Sequence, residues 1–314
     1  MSINRSVAFR HLHNRWRFQD LSLDPTANVR VDGHLSYGKN VSFDIGCNVI
    51  VPTSASLDIG DDCYIGRYVE LGPSDAIAIG NQVSIQDRSI IVGDVTVASY
   101  CVLSLNVLLT SGRHYFDRWP HILIRDQDKR VIGDSEAMKV HSRPILLGED
   151  CWLGMNAVVM PGVTVGRGCV IGANAVVTRD LPPYSVAVGA PARIIKQRLE
   201  FSPPAAIDWR CEEHIPYFYR GFALSDRERR ANASLGGHAA RSDFALWLAG
   251  TRPRTVTLRV KNIESGNTTI IHGEQTAEVG NDWTEVTFHV GEVSQPTEFR
   301  MSSAGVVVGG ARQA

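Results

Sequence analysis

Ten histidines and six cysteines are the side chains of this 314-residue chain that could bind a metal, move a proton or attack a carbonyl. The cysteines, Cys47, Cys63, Cys101, Cys151, Cys169 and Cys211, include no CxxC pair, so the spacing of a zinc site is missing and no metal is expected. Histidine is absent from 45–109 and from 145–200. Between those stretches His114, His121 and His141 share one polar segment, with His114 in the run TSGRHYFD. An imidazole with its ordinary pKa near 6.5 can accept a proton at neutral pH. By residue type alone, however, a histidine in a polar loop is a solvated surface group. Two tryptophans further on, Trp247 and Trp283, offer aromatic faces that could stack on sugar rings, although packing in a core is the commoner role.

Composition narrows the field. A hydrophobic content of 44%, a charged content of 21% and a formal net charge of -1 describe an ordinary globular protein with no field to attract nucleic acid. The basic, aromatic start MSINRSVAFRHLHNRWRF has no apolar stretch of signal-peptide length, and no run long enough to span a membrane occurs. The expected location is the cytosol. A chain of this length is expected to hold about two domains.

The elements that must position any site show themselves as a repeat. Aliphatic residues recur every six positions at Ile59, Ile65, Leu71 and Ile77, then at Ile79, Ile85, Ile91, Val97, Leu103 and Leu109, and again from Leu147 through Leu153, Val159, Val165, Ile171 and Val177. Neither a helix of period 3.6 nor a strand of period two sustains a period of six. A β-solenoid does: each hexapeptide makes a short strand and a turn, three close a triangular coil, and the aliphatic residue points into a stacked core. Glycine after the aliphatic residue, as in Ile65-Gly66, Val165-Gly166 and Ile171-Gly172, would supply unusual turn backbone. Cys63, Cys101, Cys151 and Cys169 each stand four residues after an anchor and are expected in the core, whereas Cys47 and Cys211 fall outside this rule.

Weaker anchors at Val31, Ile45 and Val51 extend the solenoid back to about residue 28 and leave 1–27 as an N-terminal cap. The solenoid domain is expected over 28–200, broken by an extruded loop at about 110–145; loops of that length are usually functional or disordered. After Pro182-Pro183 the hexapeptides stop, and the basic stretch ARIIKQRLE closes the domain. Residues 201–250 are expected to be a linker and first strands. Alternating segments TVTLRV (255–260) and WTEVTFHV (283–290), separated by turn residues, predict a small antiparallel β-sandwich-like domain over 251–314. The fold class is thus β-dominated.

The segments VTVASYCVLSLNVLLTSGRH (95–114) and ILLGEDCWLGMNAVVMPGVTVGRGCVIGANAVVTRDLPPYSVAVGAPARIIK (145–196) resemble the hexapeptide-repeat acetyltransferases, particularly the galactoside and maltose O-acetyltransferases and the sugar acetyltransferases of surface-polysaccharide pathways. The resemblance implies a left-handed parallel β-helix, a homotrimer with coenzyme A between neighbouring solenoids, and a catalytic histidine on the extruded loop, where His114 stands. It implies that His114 is the general base that takes the proton of the attacking hydroxyl and passes it to the departing thiolate, without a covalent enzyme intermediate. Asp117 stands where the family's His-x-x-Asp pattern places an acceptor ligand. Trp152, Ala173, Thr178, Arg179, Arg193 and Lys196 fall where the family meets the coenzyme, the last two offering cations to its phosphates. In place of the asparagine by which galactoside members hold their sugar, Ser84 and Gln86 stand in that neighbourhood, and the insertion from Asp126 to His141 would reshape the acceptor side. A simple galactoside is therefore not the expected acceptor.

The reading is an acetyl-CoA-dependent O-acetyltransferase acting on a sugar hydroxyl of a surface polysaccharide or its precursor. N-acetylation of an amino-sugar nucleotide or an antibiotic uses nearly the same general-base step and stays open. So does a carbohydrate-binding protein working through its C-terminal domain. A γ-type carbonic anhydrase, on a similar solenoid, would need three histidine ligands that the coils do not contain.

Overall fold

A computed structural model describes residues 21–131, 142–249, 254–264, 266–290, 296–303 and 305–313. Most of the expected N-terminal cap lies outside the described residues, as does His141. The chain divides into two compact units, Met1–Glu200 and Phe201–Ala314.

The first unit is a parallel β-helix. Its hexapeptides form strands as short as two residues, each pairing in parallel with the strand one coil on: Val102–Leu103 with Trp152–Leu153, and that with Val170–Ile171. Trp152 and Val170, like Val158 and Val176, are 18 residues apart, so three hexapeptides complete one coil. In each pair of strand residues the first faces out and the second faces in, because side chains alternate along a strand. The inward row of Leu103, Leu109, Leu153, Val159, Ile171 and Val177 is fully buried. A second inward position, two residues before each anchor, takes Cys63, Cys101, Cys151 and Cys169, all buried, beside smaller residues such as Ala157 and Ala175. Burial pushes the Cys63 thiol up to about 11 and the Cys169 thiol up to about 12, so these are packing groups.

Two local expectations change. Ile45 is no anchor: it lies exposed in a turn, and the buried residue of that hexapeptide is the aromatic Phe43. Cys47 therefore obeys the cysteine rule after all, four residues after Phe43 and fully buried. The glycines after the anchors do not supply left-handed backbone. That conformation belongs to residues three after the anchor, such as Tyr68, Asn106, Asn156 and Asn174, whose φ values are 56° to 60°. Gly66, Gly166 and Gly172 are glycine because the next coil is too close: a Cβ on Gly166 would lie 2.5 Å from the Pro183 nitrogen. Asparagine suits the left-handed site, and Asn106, Asn156 and Asn174 join side chains along the solenoid at 3.1 and 2.9 Å.

One charged pair interrupts the buried surface. The Arg167 guanidinium donates to Glu149 at 2.8 Å and to the Tyr184 hydroxyl at 3.2 Å, and both charged residues are buried. Burial is the largest influence and opposes the charge on Arg167, but Glu149, Tyr184 and Asp150 together outweigh it and hold the guanidinium protonated.

The second unit is antiparallel. Its strands lie in the order Gln275–Val279, Thr268–His272, Thr297–Met301, His238–Leu246, Val306–Gln313, Arg254–Asn262 and Thr284–Val290. Ala206–Asp208 joins at Val306–Gln313 and Arg220–Phe222 at His238–Leu246. The strand His238–Leu246 pairs with Val306–Gln313 at its start and with Thr297–Met301 at its end, so it carries the sheet around a common core of Phe218, Phe222, Phe244, Phe288 and Phe299. Trp247 is enclosed by Phe201 and Tyr219, with ring centroids 4.9 Å away in each case. Trp283 is covered by the Arg259 guanidinium at 4.2 Å and by the Lys261 ammonium at 5.0 Å. Both indoles are occupied by the protein's own side chains.

Candidate active site

The extruded loop leaves the solenoid after Leu108–Thr110 and returns at Ile145–Leu147. Its two ends are tied together. Ser111 Oγ is 2.7 Å from Ser142 Oγ and accepts from the Asp94 amide at 2.7 Å; Ser142 in turn donates to the Asp94 carboxylate; and the Arg143 amide donates to the Ser111 carbonyl at 3.0 Å. This knot needs Gly93: its φ is +91°, and a Cβ there would lie 2.1 Å from Ser111 Oγ.

Within the loop a short helix, Ile124–Val131, packs Val131 with Tyr115 and Trp119. Gln127, fully buried on that helix, donates to the Ile122 carbonyl at 3.0 Å and accepts from the Trp119 amide at 3.1 Å. The described part of the loop before residue 132 thus has its own small core.

His114 stands on this part of the loop with its side chain 81% exposed. Its Nδ1 is 2.7 Å from Asp128 Oδ2, and the other oxygen of that carboxylate accepts from the Tyr115 amide at 2.9 Å. A carboxylate on Nδ1 favours the tautomer that keeps the proton there, which puts the ring's lone pair on Nε2. An exposed imidazole with a carboxylate on one ring nitrogen is an arrangement that can serve general-base chemistry.

Asp128 is the residue that sequence reasoning missed. It lies fourteen residues from His114, so only folding of the insertion brings the two together. The usable signal is the stretch ILIRDQDKRV, rich in helix formers, which places acids on a helix beside the loop histidine. Asp117, the acid nearer in sequence, has its carboxylate 3.5 Å from Arg113. His121 is exposed.

The remaining candidates fall into two groups. Ser84, Val102, Trp152, Val170, Val186 and Lys196 form one cross-strand row on a single face, each paired with the next. At about 4.8 Å per strand, Trp152 lies about 10 Å from Ser84 and about 14 Å from Lys196. Trp152 is 52% exposed and donates its indole N–H to Ser104 Oγ at 3.1 Å, which holds the ring on the face. Gln86 donates to Ser84 Oγ at 2.7 Å, so those two polar groups act as one unit. Arg193 and Lys196 are exposed on the strand Arg193–Gln197 that closes the sheet.

Thr178 and Arg179 belong to a different edge. Leu109 pairs with Val159 and Val159 with Val177, so Thr110, Met160 and Thr178 follow one another along the corner from which the histidine loop departs. Thr178 is then about 10 Å along the axis from Thr110. Ala173 is exposed at the turn beside Met155. The fold therefore sets Ser84, Trp152 and Lys196 on one face, and the base of the His114 loop with Thr178 and Arg179 along one corner.

Among the described residues no three His, Cys, Asp or Glu side chains converge as metal ligands, and no helix is long and apolar enough to cross a membrane.

The bacterial transferase hexapeptide family, six repeats, matches residues 144–179. A probable acetyltransferase of Mycobacterium tuberculosis is 29% identical over 236 residues, 73% of this chain and 69% of that protein. A putative colanic acid biosynthesis acetyltransferase of Escherichia coli is 29% identical over 156 residues, 50% of this chain and 70% of that protein. The galactoside O-acetyltransferase of Escherichia coli is 30% identical over 141 residues, 44% of this chain and 63% of that protein.

Proposed function

We propose that this chain is a hexapeptide-repeat acetyltransferase that transfers acetyl from acetyl-CoA to a sugar hydroxyl, with His114 as general base and Asp128 as the residue that orients it. The observation that carries this reading is the 2.7 Å contact between His114 Nδ1 and Asp128 on an otherwise exposed imidazole. The relatives named for galactosides and for colanic acid biosynthesis support a sugar acceptor, and a surface polysaccharide or its precursor is the class we favour.

The residues present fit coenzyme A. Trp152 offers an exposed apolar surface, Arg193 and Lys196 offer exposed cations to phosphates, and Ala173, Thr178 and Arg179 offer an exposed turn and corner. When bound, the coenzyme supplies an acetyl thioester, an acyl group with a good leaving group. The protein's part is to position and to move a proton. Asp128 holds the Nδ1 proton, Nε2 accepts the proton of the acceptor hydroxyl as it attacks, and the imidazolium returns that proton to the departing sulfur. Ser84 and Gln86, joined by their hydrogen bond, and Asp117 are the acceptor-side polar groups. Exposed Val102, Leu105, Trp152 and Met155 on adjacent coils support a homotrimer in which neighbouring solenoids complete the site. Free, buried cysteines suit a reducing cytosol.

The test is thiol release from acetyl-CoA by wild type and His114→Ala, offered oligosaccharides, nucleotide sugars and aminoglycosides. Acceptor-dependent release that falls by about 10²–10⁴-fold in the variant is expected. Release that survives the substitution removes His114 from the mechanism. Release with amine acceptors alone moves the reading to N-acetylation.

A further inference from the structure

The part of the extruded loop that carries His114 is rich in cations. Arg113, Arg118, Arg125, Lys129 and Arg130 stand there against three carboxylates, Asp117, Asp126 and Asp128. Each carboxylate is already engaged. Asp117 lies 3.5 Å from Arg113, Asp126 accepts from Lys129 at 3.1 Å, and Asp128 lies 2.7 Å from His114. Arg118, Arg125 and Arg130 are exposed, and among the described residues none of them forms an ion pair.

Two of these arginines are placed by an aromatic ring. The guanidinium groups of Arg118 and Arg130 lie 4.9 and 5.5 Å from the centre of the Trp119 ring, the distance at which a cation is drawn to an aromatic face. The ring limits where they sit without neutralising them.

Arg125 is placed by the helix Ile124–Val131. It stands in the first turn, where the helix dipole disfavours a cation, and the residue four positions on is Lys129, a like charge on the same ridge. Both effects leave its charge uncompensated. Arg125 is also three residues before Asp128, so the two share a helix face with Cβ atoms about 5–6 Å apart. From that face Asp128 reaches His114. An exposed guanidinium therefore stands one helical turn from the carboxylate that orients the imidazole.

A guanidinium presents a planar fork of N–H donors that matches a carboxylate or a phosphate, and a neutral hydroxyl leaves its charge unanswered. We infer that the acceptor carries an anionic group, the carboxylate of an acidic sugar unit or the phosphate of a nucleotide-linked sugar, and that Arg125 binds it within the positive field of Arg118 and Arg130. The inference rests on the reading of His114 as the base and deepens it by naming the class of acceptor. Asp117, expected from the resemblance to hold the acceptor, is itself engaged by Arg113, which leaves this side of the loop to its cations.

The experiment is calorimetric titration of the full chain, with no acyl donor present, against a glucuronate oligomer, UDP-glucose, a glucose oligomer and coenzyme A. Wild type should bind the glucuronate oligomer or UDP-glucose at least about 10-fold more tightly than the glucose oligomer, and the tighter of the two tells a carboxylate source from a phosphate source. Arg125→Gln should weaken that ligand by about 10- to 100-fold, the range of a hydrogen bond to a charged group, and leave the affinity for coenzyme A unchanged. Arg125→Lys, which keeps the charge and loses the fork, should retain part of the affinity. Equal binding of charged and neutral oligomers, no binding of either anionic acceptor, an unchanged affinity in Arg125→Gln, or a loss confined to coenzyme A overturns the inference. Acetyl transfer to the same ligands is assayed separately: an anionic acceptor that binds through Arg125 but receives no acetyl sinks the transfer reading and leaves the anion site standing.

Discussion

Two histidines, one in each compact unit, stand in opposite surroundings. His114 is 81% exposed with one nitrogen fixed by a carboxylate; His238 is 3% exposed with neither nitrogen bonded among the described residues. An exposed, oriented imidazole can exchange protons with a substrate and with water, which is what a base needs. A buried one cannot take up charge cheaply: burial first, and then the charge of Arg229, keep His238 neutral. The same residue type is thus fit for proton transfer in one unit and held neutral in the other, and partner and burial decide which.

The contrast can be sharpened by comparing His238 with the buried polar group that is paired. Removing Glu149 strands the Arg167 charge inside the solenoid, and breaking a buried pair in this way costs about 3–5 kcal/mol. Glu149→Ala should lower the solenoid's unfolding free energy by that amount in denaturant titration; a loss below about 1 kcal/mol, the level of an exposed pair, would mean that water reaches Arg167.

A somewhat smaller effect appears with pH. With its pKa near 4 when folded and about 6.5 when unfolded, His238 adds no pH dependence above 6.5, where both states are neutral. Below that the unfolded chain binds the proton first, so stability falls as the pH drops and is lower by roughly 3 kcal/mol at pH 4. Unfolding of the second unit followed from pH 7 to 4 should show this slope, and His238→Phe should flatten it. An equal slope in the variant would assign the acid sensitivity to carboxylates.

The smallest effect concerns His114 through its partner. Asp128→Asn should lower kcat on the order of 10²-fold, the low end of what a general base contributes, with the KM for acetyl-CoA unchanged. Asp128→Glu should restore part of the loss. A change in KM alone would make Asp128 a structural group of the loop.

Much of the first unit was legible because its period of six is written directly in Leu103, Leu109, Leu153, Val159 and their kin, and each such residue answers to a neighbour 18 positions away. Phe43 escaped that reading because an aromatic anchor breaks the aliphatic rule, and Cys47 escaped with it. The role of the glycines was misjudged since a close approach between coils leaves the same residue type as a left-handed turn. In the second unit the alternation of 255–260 and 283–290 marked strands but not their neighbours, so neither the enclosure of Trp247 nor the covering of Trp283 was visible.

What the sequence determined by itself is therefore periodic: the solenoid, its inward rows, the place where it is interrupted and the histidine carried by the interruption. Tertiary structure alone decided which acid holds His114, which serines close the loop, which side chains cover the tryptophans and which imidazole is buried among aromatic rings. A repeat places every core residue by local rules that act at fixed spacing. Contacts such as His114 with Asp128, or His238 with Trp209, join elements at no fixed spacing, and nothing short of the folded chain specifies them.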